Sequence, residues 1–345
     1  MTELTYALDK FFIKVYIKNM KGMLANMENS VNEQIYNKPW ILQRADPYVY
    51  RHIDGTYYFT ASVPAYDGIV LRKSNTLEDL AKADETEIWH KHDKGPMSVH
   101  IWAPELHYLN GEWYIYYAGG DVDDVWNIRP YVLHCADADP VNGKWEELGK
   151  MNCADDDEFS FRAFSLDATV FENKGKLYYI WAEKVGVGKQ ISNLYIAELE
   201  TPNKLATVQV LLVTPDYDWE RVGFWVCEGP GVLKKDGKIF VTYSASETGA
   251  AYCVGMLTAD EDSDLLDPLS WKKERYPVLK TDASKQIYGP GHNSFTKDEQ
   301  GNDVMVYHAR TEEKIEGNPL YNPNRHAMLM KIKWDENSRP VFSYE

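Results

Sequence analysis

The chain has 345 residues, with 53 Asp and Glu against 37 Lys and Arg and a formal charge of −16. A surface of that sign repels phosphate backbones and anionic headgroups, which argues against nucleic acid and membrane as partners and is consistent with a neutral substrate. No apolar run approaches the roughly 18 residues of a membrane-spanning helix, and the four cysteines (Cys135, Cys153, Cys227 and Cys253) include no C-x-x-C pair of the kind that signals zinc or redox chemistry.

The first apolar stretch, Phe11-Phe12-Ile13-Lys14-Val15-Tyr16-Ile17-Lys18, is interrupted by lysines. A secretory leader would be continuous there and followed by small residues at a cleavage site. The expectation is therefore a non-native or mis-assigned start over residues 1–26, with Met27 as the first residue and Met20 and Met23 as competitors. Residues 1–39 as a whole read as an N-terminal extension, poorly ordered or partly non-native, and the location as cytoplasmic.

From residue 40 onward one unit repeats. A short strand carrying an acid, Ala45-Asp46-Pro47-Tyr48-Val49-Tyr50, is followed by Asp54-Gly55 and an aromatic, β-rich run, Thr56-Tyr57-Tyr58-Phe59. Asn110-Gly111, Lys174-Gly175, Asp236-Gly237 and Gln300-Gly301 open the same kind of run, so the glycines are spaced by 56, 64, 62 and 64 residues. Third strands read at Ile69–Arg72, Tyr131–His134, Leu194–Ala197, Cys253–Met256 and Ala327–Met330, and fourth strands around Trp89, Trp145, Val210, Trp271 and Phe342, with residues 30–40 as an alternative source of a strand for blade five. A β-rich period of about 60 residues is the pattern of propeller blades. The fold class is thus all-β: a five-bladed β-propeller with four antiparallel strands per blade, spanning residues 40–345. Five agreeing spacings count against the alternative, a β-sandwich with chance Asn-Gly turns.

Counting back eight or nine residues from each glycine gives Asp46, Ala103, Asp167, Glu228 and His292. The innermost strand of each blade lines the central channel, so these five positions are expected to converge on one axis. Taken singly, each has a structural reading. Asp46 could pair with Arg44 or Arg310, Glu105 could pair with a basic group, and Trp102 could be core. Three acids from three blades, however, supply what glycosidic bond hydrolysis needs. One carboxylic acid protonates the leaving oxygen, one carboxylate activates water, and a third holds the acid's pKa up by like-charge repulsion.

The segments Arg44-Ala45-Asp46-Pro47, Trp102-Ala103-Pro104-Glu105, Ser165-Leu166-Asp167-Ala168, Glu228-Gly229-Pro230 and Gly289-Pro290-Gly291-His292-Asn293-Ser294 occur in order, one per blade. In this the chain resembles glycoside hydrolase family 43, over essentially residues 40–345. The resemblance implies Asp46 as general base, Glu228 as general acid and Asp167 as pKa modulator, with inversion at the anomeric carbon. It implies contact with a small oligosaccharide substrate by Arg310, and it places His292 near a water-coordinated calcium or similar structural ion; no cofactor is required. Trp102 and Trp225 are expected to meet the sugar. Cys227 stands before the acid where Asn would be more usual. Within the family, His100–Glu105, Phe224-Trp225 and Tyr307-His308-Ala309-Arg310 look most like the exo-acting α-L-arabinofuranosidases. A β-xylosidase is the alternative in the same class, and a non-catalytic sugar-binding propeller the alternative outside it.

Overall fold

The computed structural model describes residues 35–187 and 189–344; the expectations about residues 1–26 and Met27 lie outside the described residues. The propeller begins in the compact unit that starts at Asn37. Its five sheets each run from an inner strand outward. Blade one is Ala45–Arg51, Tyr57–Ser62, Gly68–Ser74 and Thr86–His90, and blade two is Pro96–Leu109, Glu112–Asp121, Asp124–Cys135 and Glu146–Lys150. Blade three is Ser165–Asn173, Lys176–Val187 and Lys189–Thr201, with an outer layer split between Lys204–Leu205 and Val210–Val213. Blade four is Cys227–Lys235, Lys238–Ala245, Cys253–Asp260 and Lys272–Lys273.

In blade five the strand expected around Phe342 is replaced by the alternative from the segment ending at Ile41. Tyr288–Lys297, Asp303–Arg310 and His326–Lys331 form its first three strands, but its outer strand is Pro39–Ile41. The segment before Phe342 instead pairs Pro340–Val341 with Lys333–Trp334 in a small separate sheet. The first strand of the propeller thus closes the ring on the last blade. Trp40 meets Phe59 of blade one edge-on at 5.7 Å, and Ile41 is buried.

The hairpins joining the first two strands fall into two kinds. Asn110-Gly111, Lys174-Gly175 and Asp236-Gly237 are two-residue loops with positive φ at both positions, the mirror-image turn that matches strand twist. Around Gly55 and Gly301 the loops run through 52–56 and 298–302 instead.

Each inner strand carries one β-bulge at the axis. The register slips between Ala45 and Tyr48, Trp102 and Glu105, Leu166 and Thr169, Glu228 and Gly231, and Gly291 and Ser294. The bulged residues, Asp46, Ala103, Asp167, Gly229 and His292, all have φ between 42° and 54°. Such bulges re-aim side chains next to active sites. The equivalent position in blade four is therefore Gly229, and Glu228 sits one residue earlier, in register with Ala45, Trp102, Leu166 and Gly291. Glycine there also spares His292: a Cβ on Gly229 would lie 3.1 Å from His292 Cγ.

A bulge frees backbone N–H groups from the ladder, and the neighbouring blade accepts them. Ala103 N–H donates to Ser62 Oγ (2.8 Å), His292 N–H to Ser244 Oγ (2.6 Å) and Asp46 N–H to His308 Nδ1 (3.1 Å). These acceptors share one register position on the second strands, where blade three has Ala182. Alanine cannot accept, and Gly229 N–H bonds to the Asp167 carboxylate instead.

Candidate active site

The axis opens into a cleft of about 910 Å³ whose walls include Asp46, Asp167, Glu228, His292, Trp102 and Trp225. The three acids expected from the sequence therefore share one cavity. Asp46, Asp167 and His292 are buried, and Glu228 is partly exposed.

Asp46 is the most heavily bonded of the three. Ser62 Oγ donates to its Oδ2 (2.6 Å), and Arg325 Nη1 lies 3.3 Å from its Oδ1. His292 Nδ1 is also 3.3 Å from Oδ1. Burial alone would push this carboxyl up, but the charges of Arg325 and His292 outweigh it and hold Asp46 well below the usual carboxylate range. His308 contributes differently. Burial lowers its pKa to about 3, so it is neutral, and its Nδ1 already accepts the Asp46 N–H. Its 3.3 Å approach to Oδ1 is packing, not an ion pair.

The other two acids are driven the opposite way. Burial, with the negative charges of Glu228 and Asp46, pushes Asp167 up to about 8. Burial also raises Glu228, against the pull of Tyr252, whose hydroxyl donates to Glu228 Oε1 (2.8 Å). Tyr252 is in turn stacked on His308 at 5.6 Å. His292 joins the two sides of the site, with Nδ1 3.3 Å from Asp46 and 3.7 Å from Asp167 Oδ2. Burial favours its neutral form, but the surrounding carboxylates win and its pKa is raised.

The remaining expectations are redistributed. Arg44 pairs with Glu85 rather than Asp46, and Glu105 pairs with the buried His107 at 2.9 Å. Arg310 lies behind the wall. Its guanidinium donates to Asn322 Oδ1 (2.6 Å) and the Pro319 carbonyl (2.8 Å), so it holds the loop whose Asn318, Pro319 and Leu320 face the cleft. The arginine that faces the cleft is Arg325, which sequence reasoning missed because no repeat position marks it. Trp102 is buried against Tyr66 and His100, with no partner for its indole N–H among the described residues. Trp225 is on the wall, with Arg221 4.7 Å from its ring. The Cys227 thiol lies 3.8 Å from the buried Glu220 carboxylate, and all four cysteines are free thiols.

Among the described residues, no group of three or more His, Cys, Asp or Glu side chains is arranged to hold a metal ion. His292 Nδ1 is engaged with Asp46 and Asp167, so the oxygen-rich shell of a calcium ion near it would be completed by waters.

The family model described as glycosyl hydrolases family 43 matches residues 36–340. The chain belongs to glycosyl hydrolase family 43. Among family members, it is similar to the extracellular exo-α-(1→5)-L-arabinofuranosidase of Streptomyces chartreusis, at 48% identity over 82% of this chain and 85% of that protein. The protein of the same name from Streptomyces avermitilis is 45% identical over 89% of this chain, which spans only 63% of that relative's length. The crystal structure of the α-L-arabinofuranosidase from Lactobacillus brevis matches with a TM-score of 0.83 and 46% identity, over 91% of this chain and 99% of that one. Both Streptomyces relatives are named extracellular, which overturns the cytoplasmic location expected above. That expectation rested on the lysines within Phe11–Lys18, and the point at which a given sequence begins does not decide export.

Proposed function

We propose that this chain is an exo-acting α-L-arabinofuranosidase that releases terminal α-L-arabinofuranosyl residues from arabino-oligosaccharides with inversion. The observation that carries the reading is the divergence of two carboxyls in one cleft. Asp46 is held ionised by Arg325 and His292, while Glu228 is pushed up by burial. Environments that drive two acids apart in this way assign them as base and acid. The names of the relatives support the substrate class over the β-xylosidase alternative, and the complete set of acids counts against a non-catalytic binding propeller.

In this mechanism Asp46 removes a proton from water attacking the anomeric carbon, and Glu228 protonates the departing oxygen. The Asp46 lone pairs are aimed by Ser62 and Arg325. Asp167 contributes through its proximity to Glu228: like charges in one cavity resist simultaneous ionisation and keep a proton available near neutral pH. Trp102 and Trp225 supply apolar surface for the sugar.

The test is turnover of 4-nitrophenyl α-L-arabinofuranoside against the corresponding β-D-xyloside. Asp46→Asn should abolish activity on every substrate. Glu228→Gln should lose about 10²–10⁴ in rate on oligosaccharides, and less on the aryl glycoside, whose leaving group needs little protonation. Equal activity of Glu228→Gln and wild type on oligosaccharides would remove Glu228 from the acid role.

A further inference from the structure

Lys184 has no place in the mechanism above, yet it lines the cleft. It lies on the second strand of blade three, where side chains alternate between faces. Its neighbour Glu183 faces away and is fully engaged, accepting from Trp181 Nε1 (3.0 Å) and from the N–H groups of Phe161 (2.9 Å) and Ala163 (3.0 Å). The Lys184 ammonium instead lies 3.8 Å from the centre of the Phe164 ring, and no carboxylate of the described residues pairs with it. In a chain with 53 acids and 37 bases, a half-buried cation without an acidic partner is unusual. Half-buried charge is costly unless it is compensated, and here the open side of the ammonium faces the cleft.

Two of the cationic side chains that line the cleft divide between the two acids. Arg325 contacts Asp46. Lys184 acts on Glu228, whose charge it favours, and it does not figure among the groups that govern Asp46. A general acid must stand beside the glycosidic oxygen, so the side of Glu228 away from Asp46 is where the leaving sugar sits. Beyond Lys184 the same wall continues to Lys189 and Trp225, whose ring lies 5.5 Å from the Lys189 ammonium.

Building on the arabinofuranosidase reading, we propose that Lys184, seated on Phe164, binds the departing sugar by donating hydrogen bonds to its hydroxyl oxygens. It is a specificity residue for the leaving-group side.

The experiment compares kcat/KM on α-1,5-linked arabinobiose, whose leaving group is a sugar, with that on 4-nitrophenyl α-L-arabinofuranoside, whose leaving group has no hydroxyls to bind. Lys184→Met should lower the ratio of the two by about ten- to a hundredfold, the range for a hydrogen bond to a charged group. Lys184→Arg, which keeps the donors, should recover part of it. If Lys184→Met leaves the ratio unchanged, or lowers both activities in step, Lys184 does not bind the leaving sugar and the proposal is overturned. Should Lys184→Met fail to fold by circular dichroism, Lys184→Leu, which also lacks donors, is read in the same way. Wild-type turnover of the aryl compound is measured first; its absence would overturn the arabinofuranosidase reading itself, and this one with it.

Discussion

Arg325 Nη1 lies 3.3 Å from Asp46 Oδ1, joining two residues 279 positions apart in the chain. The same guanidinium donates through Nη2 to Tyr66 Oη (2.8 Å), and that hydroxyl donates to the Leu320 carbonyl (2.6 Å). One side chain thus fixes the charge of the base and one wall of the cleft. Arg325→Met should let burial dominate at Asp46. Its pKa would then rise, and the acidic limb of the kcat/KM profile would move to higher pH. Activity at neutral pH should fall at least about tenfold, with Arg325→Lys intermediate because the charge survives without the fork. A pH–rate profile decides it: an acidic limb that does not move would separate Asp46 from that limb.

Asp167 works against the stability of the fold. Its carboxyl titrates near pH 8 in the folded chain and in the ordinary carboxylate range when unfolded. Between those values the folded state binds more protons, so raising the pH across that window costs stability. Asp167→Asn should therefore raise Tm at pH 8 and change it little at pH 3, where the wild-type carboxyl is mostly neutral in both states. Activity should fall at the same time, because His292 loses one of the two carboxylates it joins. Thermal melts at both pH values test the sign. A variant less stable than wild type at pH 8 would contradict the assignment.

The blades were legible because five glycine-opened hairpins recur at nearly constant spacing, and the acids because they lie a fixed distance before those glycines. The one-residue offset of Glu228 was not legible. Hairpins of two residues at Gly111, Gly175 and Gly237, and of five at Gly55 and Gly301, make a spacing of eight or nine equally compatible with the bulge and with its neighbour. Arg325 and Lys184 were hidden for another reason. Their roles come from which blade faces which across the axis, and no local pattern encodes that. Arg310 was overestimated because the motif Tyr307–Arg310 identifies its strand but not the loop 318–322 that takes up its guanidinium. Phe342 was assigned to a fourth strand that Pro39–Ile41 provides from the other end of the propeller.

Ring closure gives a stability prediction. Removing residues up to Ile41 would leave His326–Lys331 as an open edge and would lose Ile41 from the core and Trp40 from Phe59. The burial lost is worth on the order of 3 kcal/mol, or roughly 5 °C in Tm for a domain of this size. Chains starting at residue 37 and at residue 42, compared by calorimetry, measure it. Equal Tm values would mean that blade five holds with three strands.

Gly229 separates backbone strain from site geometry. Its φ is +54°, and an added Cβ would lie 3.1 Å from His292 Cγ and 3.2 Å from His292 Nδ1. Gly237, in a hairpin turn of the same blade, has φ +77° with nothing within 4 Å of such a Cβ. Alanine at either position pays the left-handed penalty of about 1–2 kcal/mol, so both variants should lose a few degrees of Tm. Only Gly229→Ala should also displace His292, which bridges Asp46 and Asp167. The prediction is a fall in kcat of about tenfold or more for Gly229→Ala, beside near wild-type kcat for Gly237→Ala. If the two variants kept the same activity, His292 would not need its present position between the carboxylates.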